Sequence, residues 1–303
     1  MHMHSQESHV QIGLAGTGRM GCAIAGRILA AGFDLTVWNR SVDKCELLRA
    51  QGANVASSPS ALASECSLVL TLVSGEQSNL ALYEGEGGLF SARTTTSFFN
   101  LSTLSPQVMR RLHRGAAASG HAFIDAPVLG TVAPAERGEL VILAGGDAAA
   151  IALATPLLQC FSRKIVTTGE VGTGTAMKLV HNTVLTLYWH AVGEAMGYGA
   201  ASGLQTEDMV AVIGDSFAAI RQWPLKVPVL LEQTASPGFD LRGLEAEIAA
   251  TERLFDQAGV SHDMLSLARG TVDAAISKGW GDRDVAALAL FGRDMAHLRT
   301  VKE

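Results

Sequence analysis

The chain has four cysteines in 303 residues, Cys22, Cys45, Cys66 and Cys160, and no two of them form a CxxC pair. That spacing argues against a disulfide framework and against a cysteine-built metal site, so no metal is expected. It fits a reducing, cytoplasmic setting. Uninterrupted apolar runs of about 18 residues, long enough to cross a bilayer, are absent. Basic runs are absent too, and the formal net charge is −6. Neither a nucleic-acid partner nor a membrane span is expected. The opening Met1–His9 is polar and carries His2, His4 and His9, but it lacks the apolar centre of a secretory signal. It reads as a disordered start rather than a metal site. There is no internal repeat and no low-complexity linker. What remains is a chain of ordinary globular composition, long enough for two domains with real cores.

The first half alternates strand and helix patterns. Val10–Ala15 is a short buried-strand pattern, followed by Gly16-Thr17-Gly18-Arg19-Met20-Gly21, a small-residue helix to Ala31 and a second strand over Phe33–Trp38. This is the strand–turn–helix–strand context that a G-x-G-x-x-G fingerprint requires. Gly16 permits the tight turn, Gly18 lets the backbone reach a pyrophosphate, and Gly21 lets helix and strand pack closely. The free N–H groups at the helix start then face the negative phosphates. Further strands are predicted at Ala53–Ala56, Ser67–Val73, Ser97–Leu101, Ala122–Asp125, Leu140–Ala144 and Lys164–Thr168. Helices are predicted over Ser60–Ser64, Gly75–Tyr83, Pro106–Ser119 and Ala148–Cys160.

The end of the second strand decides the cofactor. An acidic residue there would grip the ribose 2′-hydroxyl of NAD. This chain has Asn39-Arg40-Ser41. Arg40 can pair with a 2′-phosphate and Ser41 can add a donor, so NADP(H) is favoured over NAD(H).

After Gly174 the strand signals stop. A long helical run opens at Gly172-Thr173-Gly174 and continues to Ala201 without a proline. Lys178 and Asn182 lie one turn apart on it and share a face. Helices follow at Thr206–Ile213, Gly243–Ala258, Met264–Lys278 and Asp284–Arg293, with breaks at Gly214, Pro224, Pro228, Pro237-Gly238 and Gly259. The expected architecture is a Rossmann α/β domain (doubly wound, mostly parallel) over 10–171, followed by an all-helical domain over 172–303. Hydroxyls at Ser102 and Thr103 end a strand where open α/β sheets bind ligands, although they could equally cap the next helix. Trp189 and Trp223 could line a pocket, but aromatic residues on helices are more often core. Leu179, Val180, Leu185, Leu187 and Val192 give the long helix apolar faces that one domain of this size would not bury alone. A homodimer or a dimer of dimers is therefore expected.

Four motifs stand in one order: Gly13-Leu14-Ala15-Gly16-Thr17-Gly18-Arg19-Met20-Gly21, Leu101-Ser102-Thr103-Leu104-Ser105-Pro106, Asp125-Ala126-Pro127-Val128-Leu129-Gly130, and Gly172-x-Gly174-x-x-x-Lys178-x-x-x-Asn182. Together they resemble the β-hydroxyacid dehydrogenase family, which includes 3-hydroxyisobutyrate dehydrogenases and glyoxylate or succinic semialdehyde reductases. The resemblance implies reversible hydride transfer between a nicotinamide and a short hydroxyacid, and subunit pairing through the helical domain. It implies Lys178 as catalytic acid/base, its pKa lowered by burial, and Asn182 as the residue that orients substrate. Ser102 and Thr103 would lie beside nicotinamide or substrate. The loop through Leu129, Gly130 and Thr131 would hold a substrate carboxylate on backbone N–H groups. Val73, Phe239 and Glu247 would join the cofactor contacts. The chain departs from the family at Leu129, where serine is usual, and at Ala246-Glu247, where Lys-Asp is usual. The alternatives are an imine reductase of the same architecture, which commonly carries another residue at the lysine position, and a nucleotide-binding protein whose catalysis has decayed.

Overall fold

The computed structural model describes residues 11–233 and 237–300. The leader and its histidines lie outside them. The order begins β1 (Ile12–Ala15), α1 (Arg19–Ala30), β2 (Leu35–Trp38), α2 (Glu46–Ala50), β3 (Asn54–Val55), α3 (Pro59–Glu65), β4 (Leu68–Thr71) and α4 (Glu76–Glu84). It continues with β5 (Ser97–Asn100), α5 (Pro106–Ala118), β6 (Ala122–Asp125), β7 (Val128–Leu129), α6 (Val132–Glu136), β8 (Leu140–Gly145), α7 (Ala148–Leu158) and β9 (Ser162–Gly169). Ser58 and Ser105 cap α3 and α5 through their hydroxyls, each with proline in the first helical turn, and Asp147 caps α7.

Strands β3-β2-β1-β4-β5-β6 pair in parallel, so the strand order reverses between β1 and β4. β8 joins β6 antiparallel, β7 pairs antiparallel with β8, and β9 pairs parallel with β8. The strands read as continuous apolar runs because both faces are covered. Leu14, Leu70, Phe99 and Ile124 enter one apolar cluster with Ile24 and Ile28 of α1. Their neighbours Ala15, Val69, Phe98 and Phe123 enter another with Leu62 of α3 and Met109 of α5. Alternate residues point to opposite faces, so the sheet is doubly wound as expected. Fully burying a side chain such as Phe98 or Phe99 contributes roughly 1.5–3 kcal/mol.

The helices after the sheet are α8 (Thr173–Ala201), α9 (Thr206–Gly214), α10 (Trp223–Leu230), α11 (Leu241–Ala258), α12 (Asp263–Ala275) and α13 (Ala287–Thr300), with a π-helical turn at Ile276–Trp280. The chain divides into two compact units, the first ending at Lys178 and the second beginning at Leu179. This falls later than the expected 171/172, because the first turn of α8 is bonded to β6 and β7, as described below.

Two local expectations change. Pro224 and Pro228 do not break the chain; they lie within α10. Pro224 occupies the first turn, where no N–H is needed, and Pro228 stands near the end of a short helix. Val128–Leu129, expected as loop, is a strand. In the second unit, Trp189 and Trp223 stack at 5.9 Å and 11° in the core, so they line no pocket. A Cβ on Gly292 would stand 2.1 Å from the Gly193 carbonyl, so this glycine pair sets α13 directly against α8. Of the apolar residues expected to face outward on α8, Val180 is exposed, Leu185 and Leu187 are half-buried, and Leu179 and Val192 are buried; Met177, Val184 and Tyr198 are further exposed large apolar residues of this helix.

Candidate active site

The glycine loop follows β1 at the point where the strand order reverses. Gly16 has φ of 105°, and a Cβ there would lie 2.2 Å from the Leu72 carbonyl oxygen. A Cβ on Gly21 would lie 1.9 Å from the Gly16 carbonyl oxygen. Both positions demand glycine for reasons internal to the protein. Gly18 does not: its φ is −72° and an added Cβ would meet nothing within 4 Å. The open space over Gly18 is what a closely approaching pyrophosphate requires. α1 starts there without a side-chain cap and without an acidic residue in its first turn. Its first N–H groups and its dipole are available to an anion. The loop thus fits a dinucleotide.

Asn39 has a job the sequence did not reveal. Its Oδ1 accepts the Thr17 N–H at 3.2 Å and its Nδ2 donates to the Ser41 carbonyl at 3.0 Å, tying the loop to the end of β2. Thr17 itself is buried, its hydroxyl 3.8 Å from Cys45 Sγ, and its carbonyl accepts from Cys22 Sγ. Arg19, Arg40 and Ser41 are exposed, and Met20 is half-buried against the core.

Ser102 is buried, and its Oγ accepts the Val73 N–H at 3.1 Å. Asn79 donates to the carbonyls of Val73 and Gly75, and its Oδ1 accepts from Asn100 at 3.0 Å. Asn100 Oδ1 in turn accepts the Ser102 N–H at 2.9 Å. Ser102 therefore pins the chain after β4 to the chain after β5. Thr103, the neighbouring residue, is exposed. Asn79 and Asn100 were missed in the sequence, although an asparagine closing the apolar strand Ser97–Asn100 was a visible signal.

Asp125, at the end of β6, is fully buried. Its Oδ2 accepts the N–H groups of Gly172 at 3.0 Å and Thr175 at 2.8 Å, and its Oδ1 accepts the Thr175 hydroxyl at 2.8 Å. The side chain thus caps α8 from a distant strand. Burial pushes its pKa up to about 6, against the opposing pull of the bonds from Thr175 and Gly172. Gly174 is required here: a Cβ would lie 2.4 Å from the Leu143 carbonyl oxygen and 2.8 Å from that of Asp125. One turn on, Lys178 Nζ donates to the Val128 carbonyl of β7 at 2.9 Å. Leu129 pairs with Val141 in the β7–β8 ladder. Gly130 has φ of 127° and faces Leu140, and Thr131 precedes α6 without capping it.

In the second unit, Asn182 Nδ2 donates to Glu247 Oε1 of α11 at 2.6 Å, and Asn182 Oδ1 bonds His181 Nδ1 at 2.8 Å. A carboxylate only accepts, so Glu247 fixes which way the amide faces. Phe239 precedes α11 and is 38% exposed. Asp284 is buried and bonds Lys226 Nζ at 2.7 Å through both oxygens, while accepting the N–H groups of Gly238 at 2.8 Å and Ala286 at 3.0 Å.

Residues 11–169 match the family model described as the NAD binding domain of 6-phosphogluconate dehydrogenase. Residues 172–291 match the model described as the NAD-binding of NADP-dependent 3-hydroxyisobutyrate dehydrogenase. The mitochondrial 3-hydroxyisobutyrate dehydrogenase of Drosophila melanogaster is 30% identical over 295 residues, covering 94% of this chain and 90% of that one. Glyoxylate/succinic semialdehyde reductase 1 of Arabidopsis thaliana is 27% identical over 280 residues, covering 92% of this chain and 97% of that one. A solved structure of Mycobacterium tuberculosis 3-hydroxyisobutyrate dehydrogenase with L-serine superposes with a TM-score of 0.83 at 25% identity, covering 92% and 98%. Among the described residues no helix is long and apolar enough to cross a membrane.

Proposed function

This chain belongs to the β-hydroxyacid dehydrogenase family and is an NAD(P)-dependent oxidoreductase acting on CH–OH groups, and we propose that it interconverts a short hydroxyacid and its aldehyde or semialdehyde with NADP(H), using Lys178 as the proton donor and acceptor. The observation that carries this reading is the hydrogen bond from Lys178 Nζ to the Val128 carbonyl at 2.9 Å. It commits one N–H of the ammonium and so aims the lysine beside the Leu129–Thr131 segment.

The pyrophosphate would rest on Gly16–Gly21 and the start of α1, with Arg40 and Ser41 at the 2′-phosphate and Val73 beside the loop. The bound nicotinamide supplies the hydride. In reduction, a Lys178 N–H bond breaks as the new O–H bond forms on the former carbonyl oxygen. In oxidation the neutral amine takes that proton back. Asn182, held by Glu247, would orient the reacting oxygen, since it brings donor and acceptor without a charge. Thr103 and the N–H groups around Gly130 and Thr131 would face the substrate carboxylate. Phe239 would line the cofactor side. Exposed Val184 (66%) and Val212 (69%) support a homodimer or a dimer of dimers through the helical half. A monomeric mass by light scattering would count against that assembly. The enzyme would work in the cytoplasm and need no metal, nucleic acid or membrane.

Steady-state kinetics with glyoxylate, succinic semialdehyde and a cyclic imine, each with NADPH and NADH, tests the proposal. The expected order is an aldehyde acid with NADPH first. Faster imine reduction would overturn it in favour of the imine reductase. NADPH binding without turnover of any substrate would indicate decayed catalysis.

A further inference from the structure

Asn79 stands in the opening turn of α4, where alanine or leucine would make the better helix, and it is fully buried. Both N–H bonds of its amide and both lone pairs of its oxygen are used. Nδ2 donates to the Val73 carbonyl at 2.8 Å and to the Gly75 carbonyl at 2.9 Å. Oδ1 accepts from Asn100 Nδ2 at 3.0 Å and from the Ser102 hydroxyl at 3.4 Å. The backbone dictates which way each amide faces. The two carbonyls can only accept, so Asn79 presents its NH2 to them. The Ser102 N–H can only donate, so Asn100 presents its oxygen there and its NH2 to Asn79. The two orientations agree, and the chain of bonds closes on Val73, whose N–H donates to Ser102 Oγ at 3.1 Å. Both backbone groups of Val73 are therefore held by side chains.

The loop so held packs on the dinucleotide loop. Leu72 N–H donates to the Ala15 carbonyl at 2.9 Å, and a Cβ on Gly16 would stand 3.2 Å from Val73 Cγ2. β1 and β4 are neighbours at the reversal of strand order, and ligands of open α/β sheets bind in the crevice outside that point. With its backbone committed, Val73 offers its side chain beside Gly16. On the outer side Glu76 Oε1 accepts the Ser105 N–H at 2.8 Å, so the loop after β4 is tied a second time to the chain after β5.

We infer that Asn79 is a positioning residue for the bound dinucleotide: its amide fixes residues 73–75 against Gly16, and so sets the room for the nicotinamide half in the crevice between β1 and β4. The inference rests on the dinucleotide lying over Gly16–Gly21, as proposed above, and not on which substrate is reduced. It accounts for an amide at this place. Leucine would leave two carbonyls without donors, and a carboxylate would repel both.

The test is Asn79→Asp, which keeps the shape and the acceptor side; at least one of the two carbonyls loses its donor whatever the carboxyl's protonation. It is compared with Thr96→Val, which removes a buried hydroxyl bonded to the Ala63 carbonyl at 2.8 Å, at the opposite end of β5. The measurements are NADPH Kd by fluorescence without substrate, amide hydrogen exchange over residues 72–76 without cofactor, and melting temperature. Asn79→Asp should raise Kd about tenfold, the fold-change that one buried hydrogen bond usually carries, and should speed exchange in the loop. Thr96→Val should lower the melting temperature and leave both Kd and that exchange unchanged. Ser102→Ala, which takes one acceptor from the loop, should move Kd the same way by less, and it decides the matter where Asn79→Asp does not fold. An unchanged Kd in Asn79→Asp and Ser102→Ala, or an equal rise in Thr96→Val, overturns the inference and leaves the proposed reaction standing. Failure of that reaction shows differently, as NADPH binding without turnover. A wild-type protein that binds neither NADPH nor NADH overturns both.

Discussion

Asp125 offers a sharp test of how the start of the long helix is held. Replacing it with alanine leaves two buried backbone donors and one hydroxyl without their acceptor. Each buried donor left unpaired costs roughly 1–3 kcal/mol, offset in part because a buried charge is also removed. A loss of about 3 kcal/mol is expected for Asp125→Ala. Asparagine should behave differently. Its carbonyl oxygen can take the place of Oδ2 and accept both N–H groups, while its NH2 donates to the Thr175 hydroxyl, which rotates to accept. Both backbone donors then keep an acceptor without a buried charge, while only the Thr175 hydroxyl proton loses its acceptor, so Asp125→Asn should cost clearly less than Asp125→Ala. The pH dependence separates the two states of the wild type. The carboxyl titrates near 3.8 when unperturbed and is pushed up to about 6 in the fold. Between those values the folded protein holds a proton that the unfolded chain has released. Stability from this group is therefore present at low pH and is lost as pH rises through the window, by about 3 kcal/mol for a rise of roughly two pH units. Urea denaturation of wild type, Asp125→Asn and Asp125→Ala from pH 4 to 8 measures this. The asparagine variant should gain on the wild type as pH rises. If it is as unstable as the alanine variant, or if its difference from wild type is flat with pH, the account of this cap is wrong.

Other outcomes follow from the same contacts. Lys178→Ala should lower kcat by roughly 10²–10⁴-fold, with little change in NADPH binding by fluorescence, and Lys178→Arg should not rescue it. Arg40→Asp should shift kcat/KM towards NADH, since it removes a phosphate partner and adds repulsion. Leu129→Ser should lower KM for small acids by restoring a hydroxyl; an unchanged or higher KM would place the carboxylate elsewhere. Lys226→Met should cost about 3–5 kcal/mol in chemical denaturation, because it leaves the Asp284 carboxylate buried without its cation.

The sequence by itself determined most of the elements and their order, though not α2, β7, α6 or α10. Alternating apolar strands and helices, the glycines of 16–21 and the strand-free second half each carry a local signal, written in periodicity and in residues that the backbone demands. Gly16 and Gly21 are such residues, and the structure explains both by carbonyl oxygens that leave no room for a Cβ. The spacing of Lys178 and Asn182, one turn apart on α8, was legible for the same reason, since helix geometry alone puts them on one face.

Only the tertiary structure decided what those side chains hold. Asp125 reads as one acid closing a strand, and nothing near it in sequence shows that Gly172 and Thr175 will bring it three donors. Ser102 read equally as a ligand-facing hydroxyl or a helix cap, and folding gives its Oγ the Val73 N–H to accept. Lys226 and Asp284 look like surface charges until folding buries them together, and Trp189 finds Trp223 only in the core. Local propensity is a property of a few neighbouring residues. Partners such as Asn182 and Glu247 are set by which helices pack together, and that depends on burying the whole apolar surface at once.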